Sequence, residues 1–235
     1  MRFGVTLTNN WGVDDVDGLV ALGPWLESAG YDSVWVNHHV LNIGYVRDRL
    51  EGRPYHDALT VLTWVAARTE RVRLGTSVLV LPYLQPMALA KTLATLDQLS
   101  GGRVIAGVGV GGLEAEHELL DQVPFAERGA YGDEFLEVMR TLWEQDEPSH
   151  TGKYFRVEGA LFAPRPRQRP LPVFVGVAMP KAQVVLNDEN TGFQWSGLRE
   201  AAELMPFHGH RVALDVVARE FVHKHPAHWR RVSEA

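Results

Sequence analysis

Hydrophobic residues along the chain alternate between short continuous runs and runs at helical spacing. Four mainly apolar runs predict strands, the last of them with the pattern of a strand covered on both faces, and they are residues 3–7, 33–36, 72–81 and 103–109. Between them, apolar residues at steps of three and four predict helices over about 15–29, 59–66 and 86–99, and residues 40–54 are interpreted as a loop. The order β-α-β-α-β-α-β predicts parallel strands with right-handed crossovers, and it leaves two alternatives, a barrel and an open doubly wound sheet.

The third helix and the fourth strand carry the clearest local signals. One apolar face of helix 86–99 is formed by Leu89, Leu93, Leu96 and Leu99. Ser100-Gly101-Gly102 is expected to end this helix, because glycine adopts the left-handed conformation without steric cost. Glycines then concentrate at the carboxyl end of the strand, at Gly107, Gly109, Gly111 and Gly112. This is the end at which α/β proteins bind ligands.

The regular alternation loosens after Gly112. We expect an insertion over about 113–171, which includes a helix over 131–144 and a proline-rich, basic stretch over 152–172. A fifth strand is predicted over 172–177. The remaining residues, 178–235, suffice for about two further βα units, with candidate strands at 193–195 and 212–217. We therefore expect a shortened or irregular C-terminal end.

Composition limits the classes of protein to be considered. With 235 residues and 46% hydrophobic residues, one domain over 1–235 is expected. The chain has no cysteine, which excludes disulfides and thiolate metal sites. The absence of a long apolar run predicts a cytoplasmic protein that does not span a membrane. A net charge of −6 argues against nucleic-acid binding, and the basic stretch 165–169 is interpreted as a solvated loop.

Asn37-His38-His39 follows the second strand, where a parallel barrel places catalytic groups. Imidazole titrates near neutrality and suits general acid–base chemistry. Adjacent side chains on an extended backbone point to opposite sides, so one histidine is expected in the site, and His39 is the choice. No histidine or carboxylate spacing supports a metal site. Glu114, Glu116 and His117 are interpreted as a charged helix start and are not included among the catalytic residues.

Two glycine-containing segments permit close approach of a flat ligand. Gly75-Thr76-Ser77-Val78 lies in the third strand, and Gly107–Gly112 lies at the carboxyl end of the fourth. The second segment does not match a dinucleotide-binding fingerprint, because the glycine spacing differs and no acidic residue follows about 20 residues later. It is interpreted as a backbone surface for a flat ring or a phosphate.

Several motifs together resemble one family. They are AGYDSVWVNHH (29–39), RVRLGTSVLVLPYLQPMALAKTLATLDQLSGGRVIAGVGVGG (71–112), PFAERG (124–129), DEFLEVMRTLW (133–143) and GKYFRVEGALFAPRPRQRPLPVFVGV (152–177). The chain resembles the bacterial luciferase-like monooxygenase superfamily, and most closely its coenzyme F420-dependent (deazaflavin) oxidoreductases. The resemblance implies an α/β fold, a luciferase-like TIM (β/α)8-type barrel that binds its cofactor at the carboxyl ends of the strands.

The resemblance also implies roles for individual residues. His39 would lie at the reactive face of the cofactor ring, and Ser77-Val78 would form a non-proline cis peptide at a bulge that supports the ring. His38 stands where the family has an acidic residue. After the fifth strand, this chain has Gly176-Val177-Ala178-Met179-Pro180, where the family usually has Gly-Gly and then a serine that begins a helix. The implied cofactor-binding residues are His38, Thr76, Ser77, Val78, Gly109, Val110 and Gly111, with Val175, Gly176 and Val177 at the phosphate tail.

The function expected from this resemblance is hydride transfer between coenzyme F420 and a small organic substrate, with His39 as proton donor or ring-positioning group. One alternative is an FMN-dependent monooxygenase that receives reduced flavin from a partner reductase. Another is a non-catalytic, flavin-binding or structural relative. A homodimer is expected from the resemblance alone.

Overall fold

The computed structural model of the protein describes residues 3–120 and 122–175, which lie within one compact unit, Met1–Val177. The first half of this unit contains β1 (Gly4–Thr6), α1 (Val16–Ser28), β2 (Ser33–Val36), α2 (Tyr45–Leu50), α3 (Ala58–Ala66), β3 (Arg73–Thr76) and β4 (Leu79–Val80). A 3-10 turn (Leu81–Tyr83) leads into the second half.

The second half contains α4 (Pro86–Leu99), β5 (Val104–Gly109), α5 (Glu114–Leu120), a 3-10 turn (Phe125–Glu127), α6 (Arg128–Glu144), β6 (His150–Thr151), β7 (Arg156–Val157) and β8 (Val173–Val175). The expected insertion therefore contains two helices and the small antiparallel pair β6–β7. The candidate strands at 193–195 and 212–217 and the divergent end, 178–235, lie outside the described residues.

The main sheet follows the order of the chain. β1 pairs with β2, β2 with β3, β3 and β4 with β5, and β5 with β8, all in parallel. A doubly wound sheet reverses its strand order at a switch point, and the described strands show no such reversal. The helices also pack beside one another in chain order, α1 on α3, α3 on α4 and α4 on α6. This arrangement of strands and helices is that of a barrel.

The predicted third strand, 72–81, is interrupted. β3 and β4 are two segments of one strand position, because both pair with β5. Leu74 is paired with Val104 and Leu79 with Val108, so that five steps along this strand match four along β5. The extra residue makes a β-bulge, which bends the strand locally.

Side-chain caps explain where the helices begin. Asp15 Oδ1 accepts the N–H of Gly18 at 2.8 Å at the start of α1, and Asp57 Oδ1 accepts the N–H of Thr60 at the same distance at the start of α3. The predicted end of α4 is confirmed, because Gly101 and Gly102 have φ values of 75° and 88° directly after Ser100.

Two expectations about helices were wrong. The stretch 40–54 was expected to be a loop, yet it contains α2, which Val46 and Leu50 anchor in the core. Leu99 was expected on the buried face of α4, but 76% of its surface is exposed. Leu99 is the last residue of α4, where the chain turns toward β5 and leaves the core. None of the described helices is long and apolar enough to cross a membrane.

Candidate active site

The segment that follows β2 is held in place by the segment that follows β1. Asn9, which is fully buried, donates from Nδ2 to the carbonyl oxygen of Asn37 at 2.8 Å, and its Oδ1 accepts the N–H of Asn37 at 3.1 Å. Because the strands are parallel, both segments leave the sheet at its carboxyl edge. His38 and His39 therefore begin from a defined backbone position at this edge.

His39 is paired with a buried carboxylate. Its Nδ1 atom lies 2.5 Å from Oε2 of Glu116, which lies on α5 and has no exposed surface. The other oxygen, Oε1, accepts the N–H groups of Val40 and Leu41 at 2.7 and 2.9 Å. Burial by itself raises the pKa of Glu116, but the hydrogen bonds from His39 and the two N–H groups outweigh it, and the pKa is lowered. Glu116 is therefore an ionised acceptor at neutral pH.

This carboxylate determines which nitrogen of His39 holds the proton. An ionised carboxylate only accepts hydrogen bonds, so Nδ1 of His39 must be the donor. In the neutral ring Nε2 is then an acceptor, and the hydroxyl of Tyr45 lies 3.1 Å from it. The side chain of His39 is 18% exposed and that of Glu116 is fully buried, so His39 is the solvent-side member of the pair. The arrangement suits a general base whose accepting atom is Nε2.

His38 has a different environment and a different role. It is 6% exposed, and its Nδ1 accepts the backbone N–H of Val80 in β4 at 3.1 Å. Burial lowers the pKa of His38 to about 4, so the ring is neutral at neutral pH. His38 thus connects the end of β2 to the strand segment beyond the bulge.

The bulge itself lies beside His38. The peptide bond between Ser77 and Val78 is cis, as the resemblance implied. Ser77 is exposed, and its N–H donates to the carbonyl oxygen of Val36 at 2.7 Å. Thr76 is buried and donates from Oγ1 to the carbonyl oxygen of Gly107 at 2.8 Å. The hydroxyl of Thr76 therefore joins β3 to β5.

The glycines after β5 lie next to this bulge. Gly111 has a φ of 72°, and a Cβ atom there would lie 2.7 Å from Cγ1 of Val80. The position therefore requires glycine for two independent reasons. The guanidinium of Arg128 donates from Nε to the carbonyl oxygen of Gly111 at 3.3 Å and so connects this turn to the start of α6.

The structure brings most of the proposed cofactor-binding residues to one edge of the sheet. Val80, beyond the bulge, pairs with Gly109 at the end of β5, and Val175 pairs with Val108. Val110 contacts α6, since a Cβ atom on Gly132 would lie 2.7 Å from its Cγ1. Gly176 and Val177 lie outside the described residues. Their roles in cofactor binding, like those of the other residues, stay predictions.

Sequence reasoning missed the partners of His39. Glu116 was interpreted as part of a charged helix start, and Tyr45 as part of a loop. A usable signal was present, because Glu116 and His117 are adjacent polar residues that follow the carboxyl end of a strand, which is the end where α/β proteins bind ligands. Among the described residues, no group of three histidine or acidic side chains could hold a metal ion.

Comparisons with known proteins identify relatives of this chain. A family model described as luciferase-like monooxygenase matches residues 1–205. The chain is 37% identical over 172 residues to the F420-dependent glucose-6-phosphate dehydrogenase of Amycolatopsis mediterranei, an alignment that covers 71% of this chain and 49% of that protein. The chain thus spans about half the length of this relative.

Solved structures show the same architecture. The monooxygenase RslO1 from Streptomyces bottropensis is 29% identical, with a TM-score of 0.64 over 74% of this chain and 53% of that one. The oxygenating constituent of 3,6-diketocamphane monooxygenase from Pseudomonas putida, solved with FMN, is 20% identical and shares the fold, with a TM-score of 0.61 over 74% and 51%. The predicted fold class is confirmed. The chain belongs to the luciferase-like monooxygenase family.

Proposed function

We propose that the protein is an oxidoreductase that transfers a hydride between deazaflavin coenzyme F420 and a small organic substrate. The observation that carries the proposal is the pair of His39 and Glu116 at the carboxyl edge of the sheet, in which Nδ1 of His39 lies against a buried carboxylate and Nε2 is left as the accepting nitrogen. The 37% identity to a dehydrogenase named as F420-dependent supports the choice of cofactor.

The described residues fit the ring end of such a cofactor. Val80, which lies two residues beyond the cis peptide at Ser77-Val78, contacts the turn at Gly111, where an added Cβ atom would lie 2.7 Å from Cγ1 of Val80. Ser77, Val78 and Gly109–Gly111 would hold the ring, and Val175–Val177 would meet the phosphate tail. When bound, the deazaflavin supplies hydride transfer, while the protein orients the substrate and excludes water.

The chain's own contribution to substrate oxidation is proton transfer. His39 Nε2 is the accepting nitrogen, so the proton of a substrate hydroxyl can move toward it while the carbon-bound hydrogen leaves as hydride. The ring becomes positively charged in this step, and the Glu116 carboxylate at 2.5 Å stabilises that charge. In the reverse direction the same nitrogen returns the proton.

Titration of the purified protein with F420 and with FMN tests the choice of cofactor. We expect F420 to bind, as measured by the change in its absorbance and fluorescence, and to be reduced when glucose 6-phosphate is supplied as the first trial substrate. A His39→Ala variant should keep the cofactor and lose turnover. Failure to bind either cofactor would refute the enzymatic assignment, and full turnover in the variant would refute the role of His39.

An FMN-dependent monooxygenase is the second candidate. It is favoured by the 29% identity to the monooxygenase RslO1, and FMN is the cofactor in the structure of the more distant Pseudomonas putida relative. This candidate requires tight binding of reduced FMN and consumption of oxygen, with a partner reductase as the source of the reduced flavin. Binding of FMN in preference to F420 in the same titration would select it.

We further infer that two copies of the chain associate through α3 and α4. The supporting observation is the side chain of Trp64 on α3, which is 58% exposed. Exposed apolar patches are typical of association surfaces, and Leu99 at the end of α4, the helix that packs beside α3, is 76% exposed. Light scattering on the wild type and on a Trp64→Glu variant tests this inference, and a monomeric wild type would refute it.

A further inference from the structure

The Nε2 atom of His39 already forms a hydrogen bond with a second side chain. Nδ1 donates to Glu116, which leaves Nε2 as the acceptor for the hydroxyl of Tyr45 at 3.1 Å. Partial burial of its ring and the nearby Glu116 carboxylate raise the pKa of Tyr45, so the phenol keeps its proton at neutral pH. Tyr45, His39 and Glu116 therefore form one hydrogen-bonded chain with a defined direction from donor to acceptor.

Tyr45 is the solvent-exposed end of this hydrogen-bonded chain, and the backbone of α2 holds it there. Tyr45 is the first residue of α2, and 58% of its surface is exposed. The next residue, Val46, and the last residue of the helix, Leu50, have no exposed surface and fix α2 to the core. Arg49 of the same helix donates from Nη2 to the carbonyl oxygen of Asn10 at 2.8 Å. The exposed phenol is thus carried by an anchored helix.

We propose that the Tyr45 hydroxyl is the group that meets the substrate, and that it acts as the outer member of a proton relay that runs through His39 to Glu116. The inference rests on the proposed function, since it deals with the same proton. In this arrangement Tyr45 is the catalytic residue that touches the substrate hydroxyl, while His39 accepts the proton behind it and Glu116 stabilises the resulting charge.

The relay conserves atoms and electrons. The substrate O–H bond breaks and its proton binds to Tyr45 Oη, while the proton that Tyr45 held binds to His39 Nε2. Tyr45 ends the step as a neutral phenol, and the positive charge lies on His39 beside the Glu116 carboxylate. The carbon of the substrate loses its hydrogen as hydride to oxidised F420, so an alcohol becomes a carbonyl compound and F420 is reduced.

Tyr55 provides a matched control. Its ring packs on His39 with a centroid distance of 5.6 Å at 73°, close to the values of 6.0 Å and 84° for Tyr45. Its hydroxyl, however, is buried and has no hydrogen-bond partner among the described residues. Replacement of either tyrosine by phenylalanine removes one hydroxyl from a ring that contacts His39, but only Tyr45→Phe removes a hydrogen bond to Nε2.

The kinetic test compares these two variants in F420 reduction with glucose 6-phosphate. For Tyr45→Phe we expect kcat to fall by about 100-fold or more, the usual contribution of a positioned acid or base, with little change in KM. Tyr55→Phe should retain most of the wild-type kcat. Equal losses in both variants, or an increased kcat/KM in Tyr45→Phe, would overturn the relay; the second result would mean that the phenol blocks Nε2 against substrate.

A second measurement requires neither cofactor nor substrate. In protein with 15N-labelled histidine, the Nε2 resonance of His39 should shift in Tyr45→Phe toward the value of an acceptor without a hydrogen bond, and should be unchanged in Tyr55→Phe. An unchanged Nε2 resonance in Tyr45→Phe would overturn the relay even if the wild type showed no turnover. Loss of turnover in the wild type with a normal Nε2 response would count against the proposed function alone.

Discussion

Nδ1 of His39 lies 2.5 Å from Oε2 of Glu116, although 77 positions separate the two residues in the chain. The contact forms because the segments that follow β2 and β5 leave the sheet at the same edge. The carboxylate also accepts the two N–H groups that follow His39, so it orients the backbone as well as the ring.

We predict that Glu116→Gln lowers kcat by roughly 10²- to 10⁴-fold while cofactor binding is retained. The amide oxygen can accept the N–H groups of Val40 and Leu41, which directs the amide NH₂ group at Nδ1 of His39. Nδ1 must then accept, so the proton moves to Nε2 and the nitrogen that faces Tyr45 is no longer a base. Steady-state kinetics with F420 measures the loss. Glu114→Gln, an exposed change on the same helix, is the control, and equal activity in both variants would contradict the prediction.

His38 should make stability depend on pH. Its pKa is lowered in the folded state from 6.5 to about 4, so the unfolded chain binds the proton more readily. The contribution of His38 to stability is therefore complete above pH 6.5, the pKa of His38 in the unfolded chain. It is lost as the pH drops from 6.5 toward 4, and the loss is about 2 kcal/mol at pH 5. His38→Asn can still accept from Val80 and does not titrate, so this part of the pH dependence should disappear. Urea unfolding of the wild type and of His38→Asn at pH 7 and pH 5 measures the change in the free energy of unfolding. Equal losses of stability in the two proteins between pH 7 and pH 5 would contradict the prediction.

Gly107→Ala should destabilise the protein by about 2–3 kcal/mol. A Cβ atom there would lie 2.0 Å from the carbonyl oxygen of Thr76, which is backbone and has little freedom to move. Gly112→Ala is the matched control, because no atom lies within 4 Å of the added Cβ. Thermal unfolding of both variants checks the prediction, and similar melting temperatures would show that β3 and β5 can separate without cost.

Arg103→Lys should cost about 3 kcal/mol, although it preserves the charge. The buried guanidinium donates to the hydroxyl of Thr69 and to the carbonyl oxygens of Ala66, Thr69, Val72 and Ser100, all at 2.7–2.9 Å. An ammonium group has three protons and no planar fork, so several of these carbonyl groups would lose their donor. The exposed Arg140 on α6 allows the same substitution as a control. Denaturant unfolding should show a lowered free energy of unfolding for Arg103→Lys and a nearly unchanged one for Arg140→Lys.

Much of the fold was predictable because its signals are local. The apolar run of β5 is buried at every position, and the glycines after Ser100 end α4 as expected. The helix α2 was missed, since six residues give too short a period to distinguish a helix from a loop, and its burial depends on the core that it meets. The exposure of Leu99 could not be predicted either, because helical spacing identifies an apolar face but does not show how far along the helix the neighbouring elements cover it.

The candidate site, too, was predictable in part from the sequence and in part only from the tertiary structure. The sequence by itself determined the α/β class, the family resemblance, the position of His39 after a strand and the glycines after β5, because each depends on residues close together in the chain. Only the tertiary structure decided that Glu116 and Tyr45 meet His39, and that His38 binds the backbone of Val80. Proton position and charge depend on contacts within about 3 Å between distant segments, and packing of the whole sheet brings those segments together.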